Sequence, residues 1–139
     1  MVAPASSPGV STSVENLPNH RSPAVLVIED EPLIAMGLKL VLENMGCVVP
    51  AVVDNRADAV AAAERQDFDL ILADVRLKGG DDGIAAVDDI LHRRAVPVLF
   101  VTGNVGELDR RGIDRSIVLP KPFLPAALER AVRRVLTVT

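Results

Sequence analysis

Five polar positions stand where short apolar runs end: the pair Glu29 and Asp30 after AVLVI, Asp74 after LILA, Thr102 after PVLFV, and Lys121 shortly after Ile117–Leu119. Singly, each has an ordinary explanation. An Asp at a strand end caps a helix or turns the chain, a Thr in a strand reflects β-propensity, and a Lys is usually a solvated charge. Together they make three carboxylates, one hydroxyl and one amine. Clustered acids repel and take up protons unless a cation relieves them. Oxygen ligands with retained water suit Mg²⁺, with Mn²⁺ as a substitute. A metal beside Asp74, a cationic Lys121 and the hydroxyl of Thr102 would receive a phosphoryl group. That chemistry needs mainly positioning and charge neutralisation. A carboxylate such as Asp74 can itself be the nucleophile and form an acyl phosphate.

The elements that must position these residues are legible in the pattern. Ala24–Ile28 reads as a strand covered on both faces. Pro32 opens a helix in which Leu33, Ile34, Gly37, Leu38, Val41, Leu42 and Met45 recur at helical spacing, and Gly46 ends it. Cys47–Val53 is a second strand, and Asp54 or Asn55 caps an Ala-rich helix over Arg56–Gln66. Leu70–Ala73 is a third strand, and a loop with Gly79, Gly80 and Gly83 leads into a helix through Ala85, Val87, Ile90 and Leu91. Pro97–Val101 is a fourth strand, with a weak helical segment between Gly106 and Gly112. Ile117–Leu119 is a fifth strand, and Pro125 starts a last helix whose Leu128, Ala131, Val132, Val135 and Leu136 face inward. Five βα units imply a parallel sheet with crossover helices, too few for an eight-fold barrel. The expected fold is a doubly wound α/β (βα)5 three-layer sandwich, flavodoxin-like, with strand order 2-1-3-4-5. In such a sheet ligands bind beyond the carboxyl ends of the strands, where all five positions fall.

Composition narrows the class. The chain has 139 residues, 49% of them hydrophobic, a formal net charge of −4, one Cys, three Phe, and neither Trp nor Tyr. This suffices for one domain with a real core. An acidic chain poor in aromatics lacks the footprint of a nucleic-acid binder. No apolar run reaches the ~18 residues of a membrane helix, and the start MVAPASSPGV has no signal-peptide pattern. One Cys excludes an internal disulfide framework, and cytoplasm is the expected compartment. Residues 1–23, rich in Pro and Ser, read as a disordered tail, and 24–139 as the folded domain.

Glu29-Asp30, Asp74, Thr102 and Lys121-Pro122-Phe123 resemble the receiver domain of two-component response regulators over Ala24 to about Thr137. The resemblance implies that Asp74 accepts a phosphoryl group from a sensor histidine kinase or a histidine phosphotransfer protein. It implies Asp30 as direct Mg²⁺ ligand, Glu29 acting through a metal-bound water, and the backbone carbonyl of Arg76 as a further ligand. Thr102 and Lys121 would bind the phosphoryl oxygens, and the Lys121–Pro122 bond would be cis. Receivers commonly carry an aromatic three residues before the lysine; here Val118 stands there. The run Phe100-Val101-Thr102-Gly103 resembles a receiver subgroup, frequent in alphaproteobacteria, that lacks this aromatic. The Thr102-Gly103-Asn104 loop and the helix after it are then expected to carry the signal.

The expected role is a stand-alone receiver: a non-enzyme that signals by phosphorylation-dependent protein contact or phosphoryl relay, as a monomer or weak homodimer, with no direct nucleic-acid or membrane partner. The alternative is a pseudo-receiver that binds without phosphorylation. A haloacid-dehalogenase-type phosphatase fits poorly, since Asp30-Glu31-Pro32 lacks the second Asp of Asp-x-Asp. In a flavodoxin, Glu29-Asp30-Glu31 would repel the cofactor phosphate.

Overall fold

The computed structural model describes residues 21–137. Most of the expected tail lies outside the described residues. Arg21 falls inside them and pairs with Asp69.

Five strands and five helices alternate: β1 (Ala24–Ile28), α1 (Pro32–Asn44), β2 (Val48–Val53), α2 (Arg56–Arg65), β3 (Leu70–Ala73), α3 (Gly83–Leu91), β4 (Val98–Thr102), α4 (Val105–Arg110), β5 (Val118–Pro120) and α5 (Pro125–Thr137). The sheet is parallel throughout, in the order β2-β1-β3-β4-β5. Each expected element is present; β1 and β3 keep the expected bounds, and the others shift by one or two residues. Thr102 is the last residue of β4, and α4 is a helix of 6 residues.

β1, β3 and β4 are buried at every position, which is why they read as unbroken apolar runs rather than alternating ones. Their side chains nevertheless sort with period two. Leu26, Ile28, Ile71, Ala73, Val98 and Phe100 pack toward α2, α3 and α4 (Ala59, Ala62, Ile84, Val87, Ile90, Leu108). Val25, Val27, Leu70, Leu72, Leu99 and Val101 pack toward α1 and α5 (Leu38, Leu42, Leu128, Val132, Val135). Each fully buried large side chain contributes roughly 1.5–3 kcal/mol, and these layers hold the strand ends in place. Cys47 is a buried member of the α1–α5 layer.

Local signals set the helix ends. Pro32 occupies the first turn of α1, and Gly46, at φ 96°, turns the chain out so that the Cys47 N–H reaches the Leu42 carbonyl at 3.0 Å. Asn55, rather than Asp54, caps α2 by accepting from the Asp58 N–H at 2.8 Å. Asp82 caps α3 through the Ile84 N–H at 2.8 Å. Among the apolar residues of α1, Leu33 lies outside the core at 81% exposure, with Met36 and Leu40 on the same outer side.

Candidate functional site

β1 and β3 are hydrogen-bonded neighbours, so the residues that follow them emerge side by side. Asp74 N–H donates to the Ile28 carbonyl at 2.9 Å, and Glu29 N–H to that of Val53 at 2.9 Å. These ladder bonds fix both acids at one rim. On the far side, Lys121 N–H donates to the Thr102 carbonyl at 2.9 Å, which carries the lysine back over the sheet. The Lys121–Pro122 peptide is cis.

The side chains meet around the ammonium of Lys121. Its Nζ lies 2.9 Å from Glu29 Oε1, 3.0 Å from Asp74 Oδ2 and 3.3 Å from Glu31 Oε1. Asp74 Oδ1 accepts from the Val75 N–H at 2.7 Å, and Glu29 Oε2 from the Glu31 N–H at 3.1 Å. The contact of Glu29 Oε1 with Lys121 is an ion pair by distance, yet no donor meets this buried oxygen at hydrogen-bond angles. Burial raises the Glu29 carboxyl above its ordinary value, only partly offset by Lys121 and the Glu31 N–H. Burial alone would lower the pKa of Lys121. The ion pair with Glu29, and the hydrogen bond to and charge of Asp74, outweigh it and push Lys121 above the usual lysine range. Lys121 therefore stays cationic.

Oxygens of Glu29, Glu31 and Asp74 lie within 4.8 Å of one another. Asp30 lines the same opening but stands outside this tight group, and Glu31 takes the third place. The sequence signal for Glu31 was the acidic run itself; it stands at the N-cap position of α1 without capping it, and its side chain reaches over the site to Lys121. An all-oxygen donor set with an under-satisfied buried carboxylate oxygen fits a hard divalent cation.

The open cleft, about 380 Å³, is completed by Arg76, Thr102, Gly103 and Asn104. Thr102 is buried, and its Oγ1 accepts from the Asn104 N–H at 3.0 Å. Arg76 pairs across the loop with Asp82 in an isolated antiparallel bridge. The bonds around that bridge use the carbonyls of Val75 and Asp81, not that of Arg76. All of Glu29, Asp30, Asp74, Arg76, Thr102, Gly103, Asn104 and Lys121 thus gather at one end of the sheet, while Val118 is buried in β5 opposite Phe100.

One positioning residue escaped the sequence reading. Gly83 opens α3 against the backbone of Asp74: a Cβ there would lie 1.7 Å from the Asp74 carbonyl oxygen. Its N–H also donates to the Val75 carbonyl at 2.6 Å. A glycine in a Gly-rich loop carries no mark that distinguishes a turn residue from a close approach.

A parallel 2-1-3-4-5 sheet with acids after β1 and β3, a hydroxyl at the end of β4 and a lysine after β5 defines a class. Residues 25–133 match the response regulator receiver domain, and the chain belongs to that family. Among its relatives is the phyllosphere-induced regulator PhyR of Methylorubrum extorquens, 39% identical over 114 residues, which cover 81% of this chain and 43% of PhyR. The receiver domain of Erythrobacter litoralis PhyR superposes with a TM-score of 0.81 at 32% identity, over 86% of this chain and 93% of that one. SdrG from Sphingomonas melonis Fr1 does so with a TM-score of 0.68 at 32% identity, over 83% and 97%. The match to the curated PhyR thus spans less than half of that protein's length.

Proposed function

We propose that this domain is a phosphorylation switch in which Asp74 accepts a phosphoryl group from the phosphohistidine of a sensor kinase or phosphotransfer protein. The observation that carries the reading is the seating of Asp74: Oδ1 fixed by the Val75 N–H, Oδ2 on the Lys121 ammonium, and Thr102 on the same opening. Oδ2 attacks phosphorus, the P–N bond breaks, and the imidazole nitrogen keeps its electron pair. Asp74 becomes a mixed carboxylic–phosphoric anhydride. Lys121 pairs with one phosphoryl oxygen and the Thr102 hydroxyl donates to another. Attack of water on phosphorus later returns the carboxylate and inorganic phosphate. Glu29, Asp30, Asp74 and the Arg76 carbonyl, with Glu31 beside them, would hold Mg²⁺, or Mn²⁺ in its place. When bound, the metal neutralises charge on the transferred oxygens.

The only turnover is that of the protein's own anhydride, so we class it as a signalling protein rather than an enzyme. Output passes through protein contact or onward relay, with no direct role for nucleic acid or membrane. No helix among the described residues is long and apolar enough to cross a membrane. We place the protein in the cytoplasm, where kinase domains act, as a monomer or weak homodimer.

Intact mass after incubation with acetyl phosphate, with and without Mg²⁺, tests the reading on wild type and Asp74→Asn. One Mg²⁺-dependent, base-labile phosphoryl adduct on wild type alone is expected. If wild type acquires none, from acetyl phosphate or from a phosphorylated histidine phosphotransfer protein, Asp74 is not an acceptor. A phosphorylation-independent binding module then becomes the better description.

A further inference from the structure

Arg76 has a charged side-chain partner outside the cleft. Arg76 lines the opening that holds Asp74, its side chain is 70% exposed, and its guanidinium pairs at 2.8 Å with Glu107, whose side chain is only 20% exposed. Glu107 lies in the first turn of α4 and is held in several ways. Its N–H donates to Asn104 Oδ1 at 3.3 Å, and its Oε1 accepts from Asn104 Nδ2 at 3.4 Å. Arg111 stands 3.6 Å from its Oε2 and 2.8 Å from Asp82, which caps α3. The turn is also tied to β4, since the Asn104 N–H donates to Thr102 Oγ1. Both ties of α4 toward the cleft therefore end on a group that a phosphoryl on Asp74 would claim: the hydroxyl of Thr102 and the guanidinium of Arg76.

We propose that Glu107 is the resting-state partner of Arg76, and that a phosphoryl group on Asp74 takes Arg76 from it and frees the first turn of α4. The inference rests on Asp74 being the acceptor. Glu107 offers one negative charge, shared between two arginines. A phosphoryl group offers about 1.5–2 charges and oxygens that match the guanidinium fork. An ion pair this exposed is weak enough to exchange. The loss of the Thr102–Asn104 bond acts in the same direction. With Val118 in β5, this exchange gives the acceptor a route to α4 that needs no aromatic side chain.

The test is amide hydrogen exchange over residues 103–112, with acetyl phosphate and Mg²⁺ present or absent and adduct occupancy read by intact mass in the same samples. Wild type, Glu107→Gln, Arg76→Gln and the double variant are compared. Gln at 107 keeps the capping geometry while removing the charge. Expected is faster exchange in phosphorylated wild type, and in both unphosphorylated single variants by roughly two- to five-fold, the worth of an exposed ion pair. The double variant should exchange no faster than Glu107→Gln alone, because Arg76→Gln breaks a contact that Glu107→Gln has already broken. Unchanged exchange in both unphosphorylated variants overturns the proposal. So does unchanged exchange in wild type that carries the adduct. Where acetyl phosphate leaves wild type without adduct, a phosphorylated histidine phosphotransfer protein replaces it as donor; no adduct from either overturns the acceptor reading and the exchange of partners with it, and is seen as a missing mass rather than as unchanged protection.

Discussion

A methyl group at position 83 would occupy the space of the Asp74 carbonyl oxygen, at 1.7 Å. That atom is backbone and cannot rotate away, so either α3 or the end of β3 must shift. Gly37, inside α1, meets nothing within 4 Å of its ideal Cβ. The two glycines predict opposite outcomes. Gly83→Ala should lower stability by about 1–3 kcal/mol or more, and slow phosphorylation by acetyl phosphate. Gly37→Ala should raise stability by about 0.5–1 kcal/mol without touching the chemistry. Urea denaturation with a phosphorylation time course checks both. In the sequence these are the same letter, and only the approach of α3 to β3 separates them. The site's acids, hydroxyl and lysine were readable because each follows an apolar run. The acidic run pointed to Glu31 without placing it, and the pairing of Arg76 with Glu107 carried no signal, since both depend on how separate segments meet in space.

At the scale of elements, α1 carries more apolar surface than the core uses. Ala35, Leu38 and Leu42 are buried, while Leu33, Met36 and Leu40 stand 81%, 64% and 59% exposed. The last three fall at i, i+3 and i+7, one outer stripe, on the helix that begins beside Glu29 and Asp30. The sequence showed a helix but could not divide its apolar residues between two sides, because both stripes obey the same spacing. Such a stripe beside the proposed acceptor suits the helical surface of a phosphohistidine donor. Met36→Gln with Leu40→Gln should shift stability by no more than ~0.5 kcal/mol, since both sites are exposed and Gln suits a helix. Transfer from a phosphorylated histidine phosphotransfer protein should slow at least about tenfold, the effect of losing one or two apolar anchors. Phosphorylation by acetyl phosphate should stay unchanged. Equal rates from the protein donor would remove α1 from the docking surface.

For the molecule as a whole, the fastening of the sheet lies at the end opposite the site. Asp69, just before β3, accepts from the Ala24 N–H at 2.7 Å and from Arg21 at 2.6 and 2.8 Å. Partial burial pushes its carboxyl up. The hydrogen bonds from Arg21 and Ala24 outweigh that, so the carboxyl sits below the ordinary aspartate range. A depressed folded-state pKa contributes stability above the unfolded value, near pH 4, and loses it as pH falls through the folded value. Asp69→Asn should cost about 1 kcal/mol at pH 7, and the gap from wild type should close as pH falls through the depressed folded-state value. Urea midpoints across that range would show it, and a gap independent of pH would assign the loss to packing instead.

The two sides of the candidate site hang on strands of unequal permanence. Glu29 and Asp74 follow β1 and β3, which have strands on both sides, whereas Lys121 follows β5, three residues long and at the sheet's margin. Margins of a sheet open more often than its middle. Each brief opening would withdraw the cation while leaving the acids in place. On the proposed reading of Asp74, a phosphorylated molecule would then carry its anhydride without its counter-charge. The persistence of the signal would depend in part on how often a short peripheral strand breathes, and a mutation in β5 far from any reacting atom would retime it.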